Sequence, residues 1–234
     1  MRRNRTRQPS PVLISLGMQL FSNLQMSDYK PPITIFLIII NVFVHIAPYP
    51  HVFGFDLTNI GQNCIQPSKI VHSLVYRKEL LMNRIILSSL IHADDVHLYY
   101  NMLSLCWKGM NLEKEMGSGR FLKLVVYSLV CSHVLLVVMA CTLDYLAFPP
   151  HVSGYHSCAV GFSAVLFSLK YVWNSQSPGT SHVMGMSIPS RYAAWLELVL
   201  ISLLSPSASF LGHLAGILAG VLYVRYLRNH ELMR

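Results

Sequence analysis

Charge is what this 234-residue chain has least of: Asp, Glu, Lys and Arg together supply 12%, about half the usual share of a soluble domain. That scarcity excludes a surface that faces water on every side. Acids are the rarer sign, 10 against 18 Lys and Arg, giving a formal charge of +8. The basic residues lie between apolar runs and do not gather into one patch, so they are topology signals and no nucleic-acid partner is expected. Cysteine is limited to five positions (Cys64, Cys106, Cys131, Cys141 and Cys158) without C-x-x-C spacing, which argues against a zinc site and a disulfide framework; Cys64 and Cys158 fall on the expected non-cytosolic side, where a bridge between them stays open. No metal and no other cofactor is implied. An internal repeat and low-complexity tracts are also missing, which counts against a transporter built from inverted halves.

What is present is apolar sequence, 53% of the chain. Six candidate membrane spans stand out, at 33–47, 96–112, 121–143, 158–173, 191–204 and 210–227, each near or somewhat below the ~20 residues that cross a hydrocarbon core. Without closed-barrel alternation, the spans must be helical. The second holds His97, Asn101 and Lys108, so its polar face must point into a bundle or cavity. Arg2, Arg3, Arg5 and Arg7 precede the first span, and Lys108, Lys114, Arg120 and Lys123 surround the end of the second. The stretches 144–157 and 205–209 hold no Lys or Arg. Both termini are therefore expected in the cytosol, by the positive-inside rule. The long first loop, with Lys69, Arg77, Lys78 and Arg84, is expected to fold onto the membrane surface. Residues 1–31 form an expected cytosolic N-terminal segment, 32–228 the six-helix domain and 229–234 a short cytosolic tail. The N-terminal segment could imitate a signal peptide or a presequence; an amphipathic stretch on the cytosolic leaflet is preferred.

Spans two, four and six enter from the non-cytosolic face. Asn101, Ser163 and His213 lie about five, five and three residues into them, a shared depth of roughly 5–8 Å at 1.5 Å per residue. A polar group inside a span is costly enough to be a functional signal. Ser163 alone could simply bond its own helix, and a glycine stripe alone is ordinary packing. Together, a serine hydroxyl and a neutral imidazole at one level make a nucleophile and its base. Glu197 is the one carboxylate in spans four to six, so a Ser-His dyad is expected and not a triad. Gly161 and the repeat Gly212, Gly216, Gly220 allow close helix approach. Phe167, four residues beyond Ser163, is either a ring stacked on the imidazole or core filler. His97 and Asn101 share a helix face and could donate to an oxyanion together with the Ser163 amide; alternatively, His97 helps start span two beside Asp94 and Asp95 as caps. H-E-x-x-H and an intramembrane aspartate pair are absent, and Gly161-Phe162-Ser163-Ala164-Val165 lacks the last glycine of a nucleophile elbow.

The ordered set His97-x-x-x-Asn101, Gly109-x-x-x-Glu113-x-x-x-Gly117-Ser118, Gly161-Phe162-Ser163 and His213-x-Ala215-Gly216-x-x-x-Gly220 resembles the rhomboid intramembrane serine proteases, from about Arg84 to Leu227. The stretch from His92 to Met102 is most similar to the endoplasmic-reticulum rhomboid-related branch. The resemblance implies an all-α membrane protein, a rhomboid-like bundle of six transmembrane helices with a membrane-associated first loop. It implies Ser163 as nucleophile, His213 as base, Asn101, His97 and the Ser163 amide as oxyanion hole, and span five as a lateral gate. Gly161, Phe167, Arg84, Glu113, Gly216 and Gly220 would support them. Two positions depart from the pattern: Asn83 stands where a tryptophan often precedes Arg84, and Phe167 where many members have tyrosine. The implied partners are transmembrane protein substrates and the lipid bilayer, and the implied compartment is the reticulum, with Golgi, plasma membrane or mitochondrial inner membrane as alternatives. Longer members carry ubiquitin- and ATPase-binding tail segments, which the sequence to Arg234 does not support. The rival expectation from the binding class is a non-proteolytic quality-control binder of transmembrane segments.

Overall fold

A computed structural model describes residues 10–46, 51–52, 55–56, 59–77, 82–176, 179–183, 185–205 and 208–227. The N-terminal arginines, the tail 229–234 and the side chain of Asn83 fall outside the described residues. The chain is mostly helical. The first helix, α1 (Pro11–Met26), is capped by the Ser10 side chain, starts on a proline and holds no charged residue. Leu16 and Leu20 are its buried stripe and pack in the apolar core with Leu98, Met102 and Leu105. It is followed by α2 (Pro32–Ile46), the short strands β1 (His51–Val52) and β2 (Phe55–Asp56), and α3 (Ile60–Asn63), α4 (Pro67–His72) and α5 (Met82–Leu90) of the first loop. Next come α6 (Asp95–Met116), α7 (Ser118–Tyr145) and the one-turn α8 (Pro150–Ser153). The series closes with α9 (Ser163–Gln176), the hairpin β3 (Thr180–Val183) and β4 (Met186–Pro189), α10 (Ala193–Leu204) and α11 (Phe210–Leu222).

Two of these are long and apolar enough to cross a membrane by themselves, Ser118–Tyr145 and Phe210–Leu227. On α7 the positions Leu122, Val126, Val130, Val134 and Val138 are all exposed. They recur every fourth residue and form one apolar stripe, which suits a lipid solvent and not water. The opposite face, with Leu124, Ser128, Ser132 and Leu136, is buried. The helix at 95–116 brackets the expected second span, and those at 32–46 and 193–204 overlap most of the first and fifth. The fourth needs correction. Residues 158–162 are not helical; Ala159 pairs with Ile65 through two backbone bonds of 2.9 Å. The Gly161 amide donates to the Ser88 carbonyl at 2.7 Å. An apolar run does not distinguish a helix from an extended segment whose bonds are met elsewhere.

Three ties fix the frame. Glu113 on α6 is fully buried, and its carboxylate accepts from the Ile33 and Thr34 amides at 2.9 and 2.8 Å and from Thr34 Oγ1 at 2.8 Å. It thereby serves as the missing cap of α2, whose first amides have no partner of their own. Gly109, one turn earlier, lets Thr34 press against the α6 backbone. The second tie is a disulfide between Cys64 and Cys158, which joins the first loop to the segment leading to Ser163; the sequence left this one pairing open, because both cysteines fall on the expected non-cytosolic side. Arg84 is the third, donating to the carbonyls of Cys64 at 2.9 Å and Gly61 at 3.4 Å.

Candidate active site

Ser163 is the first residue of α9, and His213 the fourth of α11. Asn101 is the seventh residue of α6. Equal counting from helix ends therefore does not explain why the serine and histidine share a level, as the sequence suggested. Between the expected start of span four and the helix lies the non-helical segment 158–162, held by its backbone bonds to Ile65 and Ser88. The outcome is nevertheless the expected meeting: His213 Nε2 lies 3.0 Å from Ser163 Oγ.

For Nε2 to accept from the hydroxyl, the proton must sit on Nδ1. Among the described residues, Nδ1 of His213 is buried and has no hydrogen-bond partner, so no described carboxylate orients the ring. Packing does it instead. The Phe167 ring lies 4.6 Å from the imidazole centroid at an interplanar angle of 31°, and Phe167 is itself buried. Both alternatives for Phe167 thus hold at once. Beneath this pair, α9 and α11 are in direct backbone contact. A Cβ on Gly216 would strike the Ala164 carbonyl and come within 3.0 Å of Phe167 Cβ, and one on Gly220 would lie 2.8 Å from the Ser168 carbonyl oxygen. Gly212 does not join this seam; its hypothetical Cβ meets the side chain of Ser209, the cap of the same helix.

The Ser163 and Ala164 amides precede the first helical bond, from Leu166 N–H to the Phe162 carbonyl at 3.1 Å. Unpaired amides at a helix start favour developing negative charge. Gly161 adopts φ +107°, and a Cβ there would sit 2.6 Å from His97 Cε1 and 2.7 Å from Nε2. Glycine at 161 is thus required twice, by its dihedral and by the imidazole of His97 against it. The Asn101 side chain is buried and donates to the His97 carbonyl at 2.8 Å. Asp94 caps α6, accepting from the His97 amide at 2.7 Å, whereas Asp95 turns to His45 Nε2 at 2.8 Å.

Sequence reasoning missed His92, which stands edge-on to His97 with centroids 5.1 Å apart. It occupies the turn before α6, and burial, then His97 and His45, lower its pKa to about 3. It also missed the partners of Glu197, which pairs with Lys170 and approaches Lys108 at 4.0 Å. The spacing between Lys170 and Glu197 in sequence gave no local signal for that pairing.

A family model described as the Rhomboid domain matches residues 80–230. The chain belongs to the rhomboid family. It is 36% identical over 197 residues to rhomboid-related protein 4 of Homo sapiens, covering 83% of this chain and 57% of that one. Rhomboid-like protein 14, mitochondrial, of Arabidopsis thaliana is 40% identical over 197 residues, 84% of this chain and 56% of the relative. Rhomboid-type serine protease 2 of Saccharomyces cerevisiae is 31% identical over 149 residues, 61% of this chain and 52% of the relative. The chain thus spans little more than half the length of the curated relatives it matches. Its similarity includes the rhomboid-related branch, as the stretch around His97 led us to expect. Rhomboids are membrane-embedded, and the family is one of hydrolases.

Proposed function

We propose that this rhomboid is an intramembrane serine endopeptidase that cleaves single-span membrane proteins in or beside the spanning segment. The observation that carries the proposal is the 3.0 Å contact between Ser163 Oγ and His213 Nε2; it favours proteolysis over the rival reading of a membrane binder that cuts nothing. Ser163 Oγ attacks the scissile carbonyl carbon while His213 Nε2 takes its proton. The resulting oxyanion is held by the Ser163 amide and by His97 and Asn101, and for the latter the amide must turn from the His97 carbonyl. The imidazolium then protonates the leaving amine, and water, deprotonated by His213, releases the acyl group from Ser163.

Helices α2, α6, α7, α9, α10 and α11 are the six spans of the proposed domain 32–228, with α10 as its lateral gate. α1 packs along α6: Gln19 Oε1 accepts from the Tyr99 hydroxyl at 2.9 Å, and Leu16 and Leu20 are buried in the core shared with Leu98 and Met102. That packing does not suit the flat placement on the cytosolic leaflet that the sequence suggested for segment 1–31. Residues 229–234 face the cytosol. The substrates are transmembrane proteins whose helix is weakened by Gly, Ser, Ala or polar residues, since a stable helix keeps its carbonyls bonded. The endoplasmic reticulum is the proposed membrane; the Cys64–Cys158 bond supports an oxidising compartment at the Ser163 face.

The test is a fluorogenic transmembrane peptide cleaved by the protein reconstituted in vesicles. Wild type is expected to cleave it and Ser163→Ala to leave it intact; equal rates would end the proposal. A fluorophosphonate probe is expected to label Ser163, with the label lost in His213→Ala.

A further inference from the structure

We propose that Lys108, Lys170 and Glu197 form a recognition site for a carboxylate carried on the transmembrane segment of the substrate. The inference rests on the protease reading given above. The three residues come from three helices, α6, α9 and α10. Glu197 gives one carboxylate oxygen to Lys170, while Lys108 stands 4.0 Å from the other, beyond hydrogen-bond reach, and donates to Ser104 Oγ on its own helix. Two ammonium groups thus face one carboxylate. With both lysines protonated the group is one negative charge short, and Lys108 is the member with donors to spare. An uncompensated cation in apolar surroundings is expensive, so a second carboxylate beside Lys108 is favoured there.

The depth and direction of the cluster identify that carboxylate. Lys170 is seven residues beyond Ser163 and six before Gln176, the end of α9. At 1.5 Å per residue these are about 10 and 9 Å, which puts Lys170 near the middle of α9, while Glu197 lies about 6 Å from the first residue of α10. The cluster is not sealed: Glu197 keeps 26% of its side-chain surface and Lys108 11%. On α6, Tyr100, Ser104 and Lys108 recur every fourth residue, so one stripe runs from the level of Asn101 to the cluster. Tyr100 and, a turn below Ser104, Trp107 are exposed. α10 packs on α9 and α11 and extends Glu197 toward this stripe. A substrate helix lying along it with its scissile bond at Ser163 would place a residue about seven positions toward the cytosol beside Lys108.

The experiment uses the reconstituted full chain and a single-span peptide with Gln, Glu or Lys seven residues on the cytosolic side of the cleaved bond, in phosphatidylcholine vesicles. Wild type is expected to cleave the Glu peptide about three- to tenfold faster than the Gln peptide, the scale of one polar pair between membrane helices, and the Lys peptide more slowly. Lys108→Gln is expected to bring the Glu-to-Gln ratio to about one. Glu moved to the opposite helix face is expected to give no preference. The site is refuted if wild type cleaves the Gln peptide in a Ser163-dependent way but shows no Glu preference, or if Lys108→Gln keeps it. It is also refuted if wild type shows no Glu preference in phosphatidylcholine while oleic acid added to the vesicles changes cleavage of the Gln peptide in a Lys108-dependent way, because the bound carboxylate is then a lipid's. Should Lys108→Gln fail to fold, the peptide series on wild type decides alone. Cleavage that persists in Ser163→Ala removes the protease reading, and this site with it.

Discussion

The two sides of α9 are built differently. Toward α11 the contact is backbone against backbone, with Gly216 and Gly220 leaving no room for a methyl group against the Ala164 and Ser168 carbonyls. Toward α10, a helix of 12 residues, Ala194 and Leu198 pack on Phe167, and Lys170 pairs with Glu197 lower down. In lipid the first kind of contact gains dispersion over a long seam and has one arrangement. The second is a contact between side chains. The serine and histidine belong to the first side, and in the proposed reading substrate enters on the other. A protease in a bilayer needs both, because its reacting atoms must stay aligned within fractions of an ångström while a whole helix comes and goes.

Breaking the chemistry on the α11 side has the largest expected effect. His213→Ala lowers peptide turnover about a thousandfold or more, with helix content by circular dichroism unchanged. Breaking the frame comes next. Glu113→Ala leaves the buried start of α2 uncapped and costs about 3 kcal/mol, checked by detergent-induced unfolding. Gly216→Ala forces a methyl group onto the Ala164 carbonyl and costs about 1–3 kcal/mol, with turnover falling alongside stability. Acid probes the turn before α6. His92 is neutral when folded because its pKa is lowered to about 3, and on unfolding it returns to an ordinary value near 6.5. The unfolded chain binds the extra proton between these values, so this contribution to stability is complete above about pH 6.5 and is lost as pH falls toward 3. His92→Gln flattens that part of the profile. The smallest effect is on the α10 side: Val199→Ala on its exposed face changes stability by less than about 0.5 kcal/mol.

Much of this was legible in the chain. Apolar runs located the helices at 32–46, 118–145 and 210–222, because hydropathy is a local property. The pairing of Ser163 with His213 followed from counting crossings. The resemblance supplied Glu113, although not its partners, since a carboxylate capping a helix 79 or 80 residues away leaves no local trace. The extended 158–162 segment was invisible for the same reason: its bonds go to Ile65 and Ser88, and composition there is that of a span. Gly212 was misplaced because a four-residue repeat shows which glycines share a helix face, but not where the neighbouring helix ends.

The Cys64–Cys158 bond spans 94 residues of sequence and makes the chain from α4 to α8 into a covalent ring. If α6 and α7 cross the bilayer as proposed, that ring closes only after α6 has left the face that holds Cys64 and α7 has brought the chain back to it. On a non-reducing gel the faster-migrating species would then count only molecules whose α6–α7 hairpin is already threaded.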